Sequence, residues 1–237
     1  MRSVTYTDRE EITMKKIVLH VALLLALVVC IEHSFLFSAP KPKKEVTHER
    51  WAIKTSAKNA NARVIPFADL IKLKDPPGVT NKDARYDSAR IPFFENSLGL
   101  REGDIVSVTC WLHLVAAEGD EDYHIQVSND SANGNHCLVV EVPDPKFAPS
   151  TELKTKWKTI REWVKKHLLH DSTLTKEPSG NGNVMTNVPY VTIKGQLFYD
   201  DPHVGTQPRG KKNMKAATLW EIHPVTSLDF APKKKQK

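Results

Sequence analysis

Apolar and polar positions alternate along five short stretches of this chain and recur at helical spacing along one longer stretch among them. In "DIVSVTCWLHLV" (104–115), Val106, Val108, Cys110, Leu112 and Leu114 share one face, with Trp111 and His113 on the other. "DYHIQVSND" (122–130) alternates strictly: Tyr123, Ile125 and Val127 point one way, His124, Gln126 and Ser128 the other. The acidic turn "AAEGDED" (116–122) joins these two strands, and "NDSANGN" (129–135) leads to a third, "HCLVVEV" (136–142). "PDPKFAPS" (143–150) breaks the sheet. Within 151–169, Leu153, Trp157, Ile160, Val164 and Leu168 form the stripe of an amphipathic helix, with Ser150 as its N-cap. "VPYVTIKGQLFYD" (188–200) predicts a fourth strand, bent or bulged at Gly195, and "ATLWEIHPVTSL" (217–228) a fifth.

Strand, strand, strand, helix, strand, strand is the order of an oligonucleotide/oligosaccharide-binding (OB) barrel. The expected class is therefore mainly β with one packed helix, a five-stranded OB-like Greek-key barrel whose helix plugs one opening. The barrel is expected at 104–228, with an irregular extension at 51–103 packed on it. In that extension "LKDPPGVTNKDARYDS" (73–88) carries turn chemistry throughout.

The first 39 residues read as a signal sequence or an N-terminal membrane anchor. Lys15 and Lys16 precede the apolar run "IVLHVALLLALVVC" (17–30), and Met14 directly before them is a possible true start. The run falls short of the roughly 20 residues a membrane span needs, and "LVVC" (27–30) is similar to a lipoprotein box ending at Cys30. Residues 40–50 form a charged linker and 229–237 a basic tail. The expected location is outside the cytoplasm: periplasmic, membrane-anchored through the N-terminal segment, or extracellular. There Cys110 and Cys137 either pair or stay as thiols buried in their strands.

The net charge of +6 is uneven, gathering in "KPKK" (41–44), on the polar faces of the helix, in "RGKK" (209–212) and in the terminal "KKKQK". Such clusters suit acidic partners, whether nucleic acid, anionic lipid or acidic polysaccharide, and they are equally the composition of solvated surface.

"RWAIKT" (50–55), "DYHIQVSND", "VVEVPDP" (139–145), "DPHVGTQPRG" (201–210) and "WEIHPV" (220–225) together form a recurring pattern. In it, this chain resembles a group of exported bacterial proteins usually left as hypothetical. The resemblance covers roughly residues 50 to 228. It implies one exported domain with a barrel-like fold and carries no activity with it. The lysine-rich insert "KKNMK" (211–215) and the basic tail depart from the pattern.

HExxH, paired CxxC and GxSxG motifs are absent, so no metal, cofactor or catalytic nucleophile is expected; the alternative is that the His124, Glu221 and His223 faces meet and bind a divalent transition metal through imidazole and carboxylate. The candidate ligand-binding residues are His124, Gln126, Glu141, His203, Arg209, Lys211, Lys212, Glu221 and His223. The histidines and acids lie on polar strand faces. Arg209, Lys211 and Lys212 lie in the long basic loop that would wall the usual ligand face of such a barrel and neutralise phosphates. Tyr123, Trp111 and Phe198 are candidates to stack bases. The expected function is an exported, non-enzymatic ligand-binding protein of the cell envelope, its partner an anionic polymer such as nucleic acid or polysaccharide. The alternatives are a metal-dependent phosphodiesterase using Asp144, Asp200, Asp201 and Arg209, and a structural protein whose sheet edge contacts an envelope protein.

Overall fold

A computed structural model of the chain describes residues 50–58, 60–206 and 208–232. The expected leader, most of the linker and the end of the basic tail lie outside the described residues. Among those described, no helix is long and apolar enough to cross a membrane.

Five strands close into a barrel. β2 (Ile105–Ala117), β3 (Tyr123–Ser128) and β4 (Cys137–Val142) follow one another, preceded by the short β1 (Arg63–Val64). After a helix and the short β5 (Asn183–Val184), β6 (Tyr190–Tyr199) and β7 (Ala216–Phe230) complete it. The hydrogen-bonded order is β2-β3-β4-β7-β6, and β6 pairs back onto β2. The pairs are antiparallel except β4 with β7, which run parallel. Closure leaves no free edge along the main circuit, which is the solution of an OB-like Greek-key barrel. The three strands before the helix and the two after it thus belong to one sheet.

The helix α3 (Thr151–Trp163) runs on into a single π-helical turn, Val164–Leu168. Ser150 caps it, its side chain accepting from the Leu153 N–H at 3.2 Å. Every member of the apolar stripe is buried, from Leu153 and Trp157 through Ile160 and Val164 to Leu168. They join the barrel interior formed by Tyr123, Ile125, Val127, Leu138, Val140, Val142, Trp220 and Ile222. Arg161 does not sit with the solvated lysines. Its guanidinium lies 3.7 Å from the centre of the Tyr123 ring.

Two irregularities shape the barrel. A register shift between Leu112 and Leu114 marks a bulge in β2, so Val115, not Leu114, continues the core stripe. The expected alternation through Leu114 fails there because a bulge adds one residue and reverses the pleat. The second lies at Gly195, where β6 slips against β7. A Cβ at that position would stand 2.5 Å from both Ile222 Cγ2 and the Pro224 carbonyl oxygen, so only glycine permits so close an approach.

The segment before β2 contributes two one-turn helices, α1 (Trp51–Lys54) and α2 (Phe67–Leu70), and β1 lies parallel to β2. Arg50 fastens it. The guanidinium donates to Glu102 at 2.7 Å, to Asp201 at 3.2 Å, and to the carbonyl oxygens of Tyr86, Ala89 and Tyr199. Cys110 and Cys137 are unpaired, buried thiols.

Candidate functional site

Alternation along β3, β4 and β7 sends one set of side chains into the apolar core and the other to the opposite face of the sheet. That opposite face is not solvated. His124 and Gln126 on β3, Glu141 on β4, and Glu221 and His223 on β7 are all buried, beneath α1, the 118–122 turn and the 200–215 loop. His124 stands directly across from Glu141 in the β3–β4 register, and Glu221 is paired with Val139 of β4 and Phe198 of β6. The histidine in the middle of β3 therefore belongs to a closed polar layer and not to a wet surface.

The layer is knit by charge. His124 Nδ1 lies 3.1 Å from Glu141 Oε1, and its Nε2 lies 3.2 Å from Gln126 Oε1. The Lys211 backbone N–H donates to that same amide oxygen at 2.6 Å, so His124 faces acceptors on both sides and donates from both nitrogens. Its proton is accordingly held: burial opposes the charge, but the Glu141 carboxylate outweighs it and raises the His124 pKa. His223 Nε2 lies 3.0 Å from Asp122 Oδ2 and 3.5 Å from Glu141 Oε2, while its Nδ1 points at the Lys54 carbonyl oxygen, 3.2 Å away. The His223–Pro224 peptide bond is cis.

Two permanent cations enter the layer from outside the strands. Lys54 of α1 comes within 3.6 Å of Glu141. Arg209 reaches Glu141 at 2.9 Å, Asp200 at 2.6 Å, and also pairs with Glu221. Burial pushes the Glu141 carboxyl up, yet Lys54 and Arg209 outweigh it and hold the group well below the carboxylate range. Glu221 goes the other way: burial, with Glu141 and Asp200 adding to it, pushes it up to about 7. Asp122 is likewise raised by burial. Three carboxylate oxygens of the layer, Asp122 Oδ1, Asp200 Oδ2 and Glu221 Oε1, are buried with no hydrogen-bond partner, although Asp200 Oδ2 has the Arg209 guanidinium 2.6 Å away. Four buried carboxylates thus share two fixed cations and the His124 imidazolium, and the raised Glu221 and Asp122 are the acids least matched by a partner charge.

A cavity of about 150 Å³ opens above this layer, lined by Trp51, Lys54, Glu118, Asp120, Glu141, Phe198, Asp200, Pro202, His203 and Arg209. Glu141 forms part of its floor, and Glu118 and Asp120 come from the 118–122 turn. His203 joins through Asp200, 2.6 Å away, and Lys211 through Glu118, at 3.0 Å.

Of the nine residues expected to bind a ligand, His124, Gln126, Glu141, Arg209, Glu221 and His223 therefore converge. His203 and Lys211 stand at the margin, and Lys212 is exposed. The phosphodiesterase set does not assemble. Asp144 caps the turn at Pro145–Phe147 and lies 3.9 Å from Arg161, Asp201 is held by Arg50, and Asp200 alone meets Arg209. Of the aromatic candidates, Tyr123 and Phe198 are buried and closed to stacking, while Trp111 is half-buried and packs on Tyr190 at 4.7 Å between ring centres.

Sequence reasoning missed Asp122 and Lys54. Asp122 had a signal: it stands two residues before His124, so the same alternation that places Gln126 on that face also places Asp122 there. Lys54 had none beyond its place in "RWAIKT". Comparison with family models, with curated proteins and with solved structures found no match.

Proposed function

We propose that the barrel is a non-enzymatic binding protein and that the cavity above Glu141 takes a small, positively charged ligand. The observation that carries this reading is the concentration of acids around the cavity. Glu118, Asp120, Glu141 and Asp200 line it, and its two cations, Lys54 and Arg209, are engaged with carboxylates of the buried layer. At roughly 30 Å³ per water molecule, the space holds about five waters, enough for one small amine or a partly hydrated ion.

An anionic polymer fits less well. Such a partner needs a run of accessible cations. Arg209 is withdrawn into the interior, and Lys211 is paired with Glu118. The lysines of α3 and its π-helical turn are paired with acids, Lys156 with Glu152 on the helix and Lys165 with Glu177 of the loop that follows. The leader-like segment at 14–30 supports action outside the cytoplasm.

The test is calorimetric titration of the purified chain with putrescine, agmatine and lysine, beside a heparin fragment. Saturable amine binding that weakens with salt and is lost in Glu118→Gln/Asp120→Asn supports the cavity. Both positions are part-exposed, so that variant should fold. Absence of saturable amine binding, or heparin binding that ignores the double substitution, overturns the reading.

A further inference from the structure

The layer beneath the cavity contains a more specific arrangement than a general concentration of acids. His223 Nε2, Asp122 and Glu141 present one imidazole nitrogen and two carboxylate oxygens, and these ligand atoms all lie within 4.8 Å of one another. From His223 Nε2 the distances are 3.0 Å to Asp122 Oδ2 and 3.5 Å to Glu141 Oε2. His223 Nε2 and Asp122 Oδ2 are hydrogen-bonded as they stand; ligand bonds of about 2.0–2.1 Å in tetrahedral array place donor atoms about 3.4 Å apart, so the three groups need move little to hold an ion.

Three independent features single out this group. The first is the orientation of His223. Its Nδ1 faces the Lys54 backbone carbonyl at 3.2 Å, which leaves Nε2 as the nitrogen turned toward the acids. A ring nitrogen tied to a carbonyl is the usual support behind a metal-bound histidine. The second is Asp122 Oδ1, buried and without a hydrogen-bond partner in a residue fully closed from solvent. An orphaned carboxylate oxygen is costly unless something charged meets it. The third is access: Glu141, the shared ligand, reaches the cavity, which leaves room for a water or a ligand atom at an open position.

Resting on the cation-binding reading of the cavity, we propose that Asp122, Glu141 and His223 form a binding site for one divalent transition-metal ion, with the cavity above supplying its open coordination position. One nitrogen and two oxygens suit ions of the zinc, cobalt or manganese type. A second group, Glu118, His124 and Glu141, also brings three ligand atoms together. It is less suited, because Glu118 is part-exposed and paired with Lys211 at 3.0 Å, and no buried oxygen in the group is left without a partner as Asp122 Oδ1 is.

The experiment uses the full chain, stripped with a chelator, dialysed, and loaded separately with Zn²⁺ and Co²⁺. Metal content is measured after gel filtration, and cobalt coordination is followed by visible absorption. The expected result is about one ion retained per chain, with the cobalt bands of a low-symmetry nitrogen–oxygen site. Retention should be lost in Asp122→Asn and in His223→Gln, and kept in His124→Gln, each checked for fold by circular dichroism. A wild-type chain that retains neither ion overturns the proposal, whatever the variants do. Loss in His124→Gln with retention in a folded His223→Gln also overturns it, in favour of the other group. Amine binding without metal retention leaves the cavity reading standing and removes the metal alone; absence of both removes both.

Discussion

Arg209 and Glu141 meet at 2.9 Å although 68 residues separate them, and their side chains are only 10% and 1% exposed. The guanidinium comes from a loop and the carboxylate from the middle of a strand. Their contact closes the polar face of the barrel and turns what a sheet of this type would show to solvent into a second, charged interior.

Removing the cation from that interior should be severe. Arg209→Ala leaves Glu141, Glu221 and Asp200 together in a low-dielectric setting, so the expected loss is about 3–5 kcal/mol of folding stability. Lys212→Ala, three residues on at an exposed position, should change stability by less than about 0.5 kcal/mol. Urea denaturation of the two variants measures both. Equal, small effects would show that the buried pairs contribute little.

Arg50 serves the N-terminal segment in the same way and depends on shape as well as charge. Its fork satisfies Glu102, Asp201 and three backbone carbonyls, an arrangement that a single ammonium cannot reproduce. Arg50→Lys should therefore cost at least about 3 kcal/mol, since each abandoned buried partner carries a penalty of about 1–3 kcal/mol. Limited proteolysis should then cut within 60–103 well before it cuts the barrel.

The bulge at Gly195 is tested by a single methyl group. Gly195→Ala drives a Cβ into Ile222 and the Pro224 carbonyl, and overpacking of this kind costs about 1–3 kcal/mol. Gly119→Ala has open space around it and serves as the control, with an expected change near zero. Thermal unfolding distinguishes them.

His113 gives a stability term that depends on pH. It is buried beside Ser128 and the Asp130 carbonyl, at 3.0 and 2.9 Å, and burial holds its pKa below the usual value. The folded state therefore prefers the neutral ring. Its contribution is complete above the unfolded pKa of about 6.5 and is lost as pH falls from there toward the lower folded value. Stability measured from pH 7.5 down to 5 should decline less steeply in His113→Gln than in the wild type. Parallel profiles would refute the assignment.

The two thiols should be inert in the native state. Burial pushes Cys137 up to about 11 and Cys110 higher still, so neither supplies thiolate near neutral pH. Iodoacetamide should label Cys110 and Cys137 in denaturant and neither without it, as followed by peptide mass mapping, which separates them from Cys30.

The five strands and the helix were legible in the linear chain because each depends on a local period. Two-residue alternation marks β3, spacings of three and four mark α3, and Ser150 and Gly195 mark a cap and a bulge. The local pattern also placed His124 and Gln126 opposite Tyr123 and Ile125. It did not say whether that opposite face is wet, because alternation assigns a side chain to a face and not to a medium. Lys54 lies 169 residues from His223 and meets it only when α1 folds onto the closed barrel. Arg209, which reads as a surface cation in a basic loop, becomes the centre of a buried network only when that loop crosses β4 and β7. Charge pairing across such separations follows from barrel closure, and it is closure that turned scattered acids and histidines into one site.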